Sequence, residues 1–206
     1  METPILGAAV GLWAAVHSWL ASNRVKATVR DRLGEGAARA YRLFYNAFSV
    51  ISLAPILLWM RSLPDRTLYR VDTPWAYGML AAQALCALLL LLALLQTGPL
   101  HFAGVSQLLP ARTTGRLVTT GFYHVVRHPL YLFGLLILWL TPFMTVNLLT
   151  VSAVLTIYVF IGALLEERRL LQEFGTSYEE YRTQTPMIVP ALKVRPPASG
   201  ARMKKP

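Results

Sequence analysis

Charge is scarce in this sequence. Asp, Glu, Lys and Arg make up 15% of its 206 residues, against roughly 25% in an ordinary soluble domain. Four stretches hold none of them: Thr3–Asn23, Leu43–Met60, Thr73–Ala111 and His128–Leu165. That excludes a soluble globular enzyme, and a hydrophobic content of 55% excludes a disordered chain. Cysteine is nearly absent too. Cys86 alone allows neither a disulfide framework nor a cysteine-based metal site. The four histidines, His17, His101, His124 and His128, show no metal-binding spacing such as H-E-x-x-H. No G-x-G-x-x-G, Walker A loop or G-x-S-x-G occurs, so no metal and no Rossmann-bound nucleotide is expected. The N-terminus lacks a basic region before its first apolar run, which reads as a retained helix rather than a cleaved signal peptide.

What remains is the pattern of a polytopic membrane protein. The apolar runs predict a first helix over Pro4–Ala21, a second from about Tyr41 to Met60 with a kink at Pro55, and a third from about Trp75 to Gln96. The basic segment Asn23–Arg42 carries Val25, Val29 and Leu33 at every fourth position, which suits a short interfacial helix ended by Gly34 and Gly36. Arg61–Asp72 reads as a polar loop. His128–Leu165 is 38 uncharged residues long. As one helix it would reach about 57 Å, nearly twice the hydrocarbon thickness. Thr141-Pro142 and Asn147 offer a break, so a hairpin of Leu130–Leu140 and Leu148 to about Glu173 is predicted. The fold class expected is all-α, with about five crossings, the last two forming a hairpin, plus a cytoplasmic loop and a short C-terminal helix. Residues 1–97 form the N-terminal membrane region, 98–192 a C-terminal functional region and 193–206 a basic flexible tail.

The net charge of +10 follows the same topology and does not require a nucleic-acid partner. With five crossings, alternate sides of the membrane hold 17 and 3 of the 20 Lys plus Arg residues. Such asymmetry predicts the N-terminus outside and the C-terminus in the cytoplasm. The Gly98–Arg127 connection, rich in Gly and apolar residues and free of acids, falls on the cytoplasmic side as a docked loop.

Two polar clusters flank the hairpin. One contains Gly121, Tyr123, His124, Arg127, His128, Pro129, Tyr131 and Gly134. The other opens with Glu166-Glu167-Arg168-Arg169. A hairpin returns its ends to one place, so Arg127, His128 and Tyr131 should meet Glu166 and Glu167. Arg127, Tyr131 and Gly134 share a helical face. Carboxylates near membrane depth are costly and tend to mark sites. The blander alternative is that Arg127 pairs with Glu166 only to tie the hairpin. His17 reads as a packing histidine and Gly7 with Gly11 as a close helix contact. Further on, Gly175 suits a C-cap, Thr176 or Ser177 with Glu179 or Glu180 a capping box, and Tyr178 and Tyr181 pack under the tail or line a pocket, packing being expected of Tyr181.

The stretch from Leu117 to Gly134, Leu-Val-Thr-Thr-Gly-Phe-Tyr-His-Val-Val-Arg-His-Pro-Leu-Tyr-Leu-Phe-Gly, resembles the Arg-His-Pro signature of the isoprenylcysteine carboxyl methyltransferases and related phospholipid and thiol methyltransferases. The block from Glu166 to Tyr181, up to Pro186 and Pro190, resembles that family's closing segment. The two departures are Gly134, three residues after Tyr131 where many members have glycine two after, and the lack of an arginine just upstream of the paired glutamates, where Arg168 follows instead.

The resemblance implies S-adenosylmethionine as methyl donor, held on the cytoplasmic side by Arg127, His128, Pro129, Tyr131, Glu166 and Glu167, with Gly121 and Tyr123 in the approach loop. Arg127 and Glu167 are the expected catalytic pair. The acceptor is a small or lipophilic molecule: an isoprenylcysteine-type carboxylate, a thiol or a lipid amine. The Ala/Leu/Arg-rich composition points to a bacterial inner membrane. An NADPH-dependent reductase of the sterol type and a non-enzymatic membrane scaffold stand as alternatives.

Overall fold

The computed structural model describes residues 2–99, 104–105, 108 and 117–190. His101, Arg112, Arg116 and the basic tail from 193 lie outside the described residues. Helix α1 (Glu2–Ala21) is followed by α2 (Asn23–Ser62), strand β1 (Thr67–Arg70) and α3 (Trp75–Gln96). After the long connection come α4 (Phe122–Val125), α5 (Pro129–Trp139), β2 (Phe143–Thr145), α6 (Val146–Phe174) and α7 (Thr176–Gln184). Helices α1, α2, α3 and α6 are long and apolar enough to cross a membrane, and the chain is a multi-pass membrane protein. Helix α5 has 11 residues, fewer than the roughly 20 a crossing needs.

One sequence expectation about α2 changes. The helix does not wait for Tyr41: it breaks at Gly34, where φ is 83° and ψ 175°, and runs on from there. Glycine reaches that conformation without the penalty a Cβ brings. At Pro55 the backbone keeps helical angles. The hairpin segments agree with expectation to within about two residues, with α5 and α6 each starting slightly earlier than read.

The chain is not purely α-helical. β1 and β2 pair antiparallel, Thr67 opposite Thr145 and Arg70 opposite Phe143. The segments read as loops thus satisfy backbone groups on each other, using Thr, Tyr and Phe, residues that suit strands.

The elements meet at two ends. At one end, Thr3 Oγ1 donates to Asn147 Oδ1 (3.0 Å), and Asn147 Nδ2 donates to the Pro64 carbonyl (3.1 Å). At the other end, the α2 start, the α3 end, α4 and the last turns of α6 gather. Between them α1 packs on α2 and α6, and α3 packs on α5. Leu6, Val10 and Val151 form the buried centre, with Ile56, Leu57 and Val154 against them. Gly7 permits the α1–α6 approach: a Cβ there meets Thr150 Cγ2 at 3.1 Å, whereas at Gly11 nothing lies within 4 Å. The outward faces of α1, α2 and α3 present Leu12, Trp19, Val50, Ile51, Leu58, Leu85 and Leu88, as a lipid-facing surface does.

Candidate active site

Helix α6 sets the position of the acids. Glu166 lies twenty residues after Val146, about 30 Å along the axis, one hydrocarbon thickness from the start of the helix. Pro129 takes the first position of α5, where its missing N–H costs nothing, and His128 immediately precedes it. Arg127 and His128 are fixed by a strap that follows α7: Arg127 N donates to the Pro186 carbonyl (2.9 Å) and His128 N to the Met187 carbonyl (3.0 Å). Thr185 and Ile188 of that strap are buried.

The two sequence clusters meet. Glu167 Oε1 lies 2.7 Å from Arg127 Nε, 2.5 Å from Nη2 and 3.4 Å from His128 Nε2. Glu166 Oε2 accepts from the Tyr131 hydroxyl at 2.9 Å and lies 3.6 Å from His128 Nδ1. The His128 and Tyr131 rings stack, centroids 5.3 Å apart and planes 12° from parallel.

The two acids are not equivalent. The Glu167 side chain is 9% exposed and that of Arg127 8%, a buried ion pair; the Glu166 side chain is 41% exposed. Arg127 therefore ties to Glu167, not to Glu166. Its Nη1 donates to the carbonyls of Arg182, at 3.0 Å, and of Thr185. With Nε and one Nη2 hydrogen on Glu167, a single Nη2 hydrogen is left for anything else. Arg127 is thereby an organiser of Glu167 and of the strap. The second oxygen of Glu166 makes no hydrogen bond among the described residues.

Burial tunes the surrounding rings. It pushes the Tyr123 phenol up to about 12, with Glu166 adding to the rise, and Tyr178 to about 12, with Glu167 adding. Tyr181 is raised for the same reason. All three stay protonated donors at neutral pH. Burial lowers His128 below the usual imidazole value despite both carboxylates, because desolvation of the charged ring outweighs their attraction.

Other expectations fare unevenly. Gly121 has φ 64°, and a Cβ on it would stand 2.4 Å from Gln96 Nε2. Gln96 Oε1 accepts from Phe122 N at 3.3 Å, so this glycine seats the approach loop on the end of α3. A Cβ at Gly134 meets nothing within 4 Å. Gly175 caps α6 with φ 54°, but α7 starts without a side-chain cap, so the capping box does not form. Tyr178 is buried at 1% exposure, and its hydroxyl has no hydrogen-bond partner among the described residues. Tyr181 donates to the Tyr123 carbonyl. Sequence reading missed Gln96 and the strap. Neither carries a local signal, since each acts through a partner distant in sequence.

A depression of about 500 Å³ lined by Arg70, Asp72, Thr73 and Phe143 lies at the opposite end of the molecule. Paired acids, a stacked imidazole and protonated phenols converge at the Glu166 end instead, and that end is the candidate site.

Comparison with known proteins identifies the family. Residues 74–177 match the phospholipid methyltransferase family. The methanethiol S-methyltransferase of Crocosphaera subtropica is 30% identical over 191 residues, covering 89% of this chain and 72% of the relative. That of a Pseudomonas species is 33% identical over 189 residues, covering 88% and 70%. Methanethiol S-methyltransferase 2 of Bradyrhizobium diazoefficiens is 45% identical over 73 residues, covering 35% of this chain and 28% of the relative. No solved structure matches. From its sequence and these relatives, the chain belongs to the phospholipid methyltransferase family, in the company of the membrane methyltransferases that its Arg-His-Pro segment resembles.

Proposed function

We propose that this chain is an integral membrane methyltransferase that uses S-adenosylmethionine and delivers the methyl group to a small thiol. The observation that carries the reading is the pairing of Glu166 and Glu167 with Tyr131, His128 and Arg127 at one end of the membrane helices. The acceptor class rests on relatives whose names specify methanethiol.

The residues fit the donor. Glu166 offers an unengaged carboxylate oxygen to an ammonium group. The space over Gly134 is open. Arg42 of α2 lies within electrostatic range of Glu166 and of Arg169, and these two arginines are the cations left for a ligand carboxylate, since Arg127 is nearly spent. When bound, S-adenosylmethionine supplies a methyl group on a sulfonium. The chain's own part is to hold both reactants in line, with Arg127 and Glu167 as the fixed pair behind the site and Tyr123 and Gly121 shaping its approach. The surrounding apolar helices keep water out.

Five crossings give the reading its topology. Support comes from the two ends: Thr3, β1 and β2 gather at one and the acids at the other, which fits α5, extended by the turn before it, returning the chain between them. The positive-inside asymmetry then places the acid end and residues 98–192 on the cytoplasmic side, with the N-terminus outside, in a bacterial inner membrane. Residues 1–97 supply the lipid-facing frame.

The test is ligand stabilisation, which follows occupancy. Purified protein in detergent is expected to gain thermal stability with S-adenosylhomocysteine and none with NADPH. Stabilisation by NADPH alone would replace this reading with a reductase, and by neither ligand, for a folded sample, with a scaffold.

A further inference from the structure

A second polar cluster lies inside the membrane region. His17 of α1 is hydrogen-bonded by the Tyr45 hydroxyl of α2, 2.8 Å from Nε2 and 2.9 Å from Nδ1, and by the Tyr158 hydroxyl of α6 at Nδ1. Trp13 lies beside the imidazole at a tilt, centroids 5.0 Å apart and planes 31° from parallel. Three helices thus contribute one basic ring and two phenols, about one turn in from the end of α1 at Ala21. Polar groups at such depth are costly and tend to mark function.

Two features separate this cluster from a sealed packing contact. His17, Tyr45 and Tyr158 are all only partly buried, so a small molecule can reach them. The cluster also borders the acid site. Gly162 and Glu166 follow Tyr158 one and two turns along α6, a Cβ on Gly162 would meet nothing within 4 Å, and Tyr158 lies within electrostatic range of Tyr131, the residue bonded to Glu166. Proton accounting completes the picture. A neutral imidazole has one lone pair and one N–H. It accepts from one phenol and donates to the other, whose own hydrogen is left for a further acceptor. The set can therefore receive a proton at His17 and donate a hydrogen bond at a tyrosine.

We propose that His17, held by Tyr45 and Tyr158, is the acceptor subsite and takes the proton of the thiol. The assignment rests on the methyl-transfer reading above. A thiol is a poor nucleophile until ionised. Its S–H proton passes to the phenol oxygen that donates to His17, as that phenol's own proton moves onto the ring nitrogen. The freed sulfur electron pair forms the bond to the methyl carbon, and the electrons of the old carbon–sulfonium bond stay with the donor's sulfur. The product is a thioether, and the imidazolium returns its proton to water as products leave. The titratable groups facing His17 are Tyr45 from α2 and Tyr158 from α6.

The experiment compares wild type with His17→Gln on two thiols, methanethiol and thiophenol; the latter ionises by itself near neutral pH. His17→Gln is expected to lose about 10²-fold in methanethiol turnover at pH 7, to regain about tenfold per unit of rising pH as the free thiol ionises, and to keep its thiophenol rate. A readout without turnover accompanies it. With S-adenosylhomocysteine bound, the infrared S–H band of methanethiol should weaken on binding to wild type and stay unchanged with His17→Gln, while stabilisation by S-adenosylhomocysteine stays equal in both. Equal loss on both thiols, or none on methanethiol, overturns the base. A wild type stabilised by S-adenosylhomocysteine that methylates neither thiol overturns the acceptor class and this assignment together. If His17→Gln does not fold, Tyr158→Phe and Tyr45→Phe are read against the same two thiols, with a selective loss on methanethiol expected.

Discussion

Arg127 and Glu167 stand forty positions apart in sequence, yet they form a buried pair with Nη2 2.5 Å from Oε1. Both side chains are less than a tenth exposed, and the arginine also holds the carbonyls of Arg182 and Thr185. The contact fixes three segments at once: the turn before α5, the end of α6 and the strap after α7.

Removing one partner of a buried pair strands the other. Glu167→Ala is expected to cost about 3–5 kcal/mol, read as a fall in unfolding temperature of the detergent-purified protein. Glu166→Gln, at a half-exposed position with one engaged oxygen, should leave stability within about 1 kcal/mol and abolish stabilisation by S-adenosylhomocysteine. Equal stability losses from the two changes would contradict the division of roles.

The glycines make a graded series. Gly121→Ala combines φ 64° with a contact 2.4 Å from Gln96 and should lose more than about 1 kcal/mol of stability. Gly175→Ala meets open space at φ 54°, so only the backbone term of about 1 kcal/mol applies. Gly134→Ala should cost nothing in stability and weaken S-adenosylhomocysteine binding. Thermal unfolding with and without the ligand checks all three.

His128 makes stability fall in acid. Its imidazole value is lowered in the folded state by burial, so the unfolded chain binds a proton more readily. The contribution is complete above the unfolded value of about 6.5 and is lost as pH falls through the folded value. Wild type should lose stability as pH falls below about 6.5, and His128→Gln should flatten that limb. An unchanged slope in the variant would assign it to other groups.

Topology is open to direct labelling. In a Cys86→Ser background, a cysteine replacing Glu2 is expected to react with a membrane-impermeant maleimide in intact cells, and one replacing Glu179 only after lysis. The reverse pattern would invert the orientation.

Legibility in the sequence followed locality. The Arg-His-Pro turn, the paired glutamates and the four long apolar helices are contiguous strings, and their helical spacing and lack of charge are visible without a partner. Even the meeting of Arg127 with Glu167 was readable, because a chain that turns at Thr141-Pro142 brings its flanks back together. The β1–β2 ladder was not readable. Thr67–Arg70 is exposed along its length and shows no buried alternation, and its partner lies more than 70 positions away. Gln96 under Gly121, the strap at Pro186 and Met187, and the His17–Tyr45–Tyr158 cluster were hidden for the same reason.

By itself the amino-acid order determined a multi-pass helical membrane protein, because water and lipid act on each segment's own hydrophobicity. Only the packed structure decided which acid is buried against arginine and which is left half open, and which histidine is held by two tyrosines. Those outcomes depend on distances between helices, and such distances follow from how whole faces fit, not from any one stretch of chain.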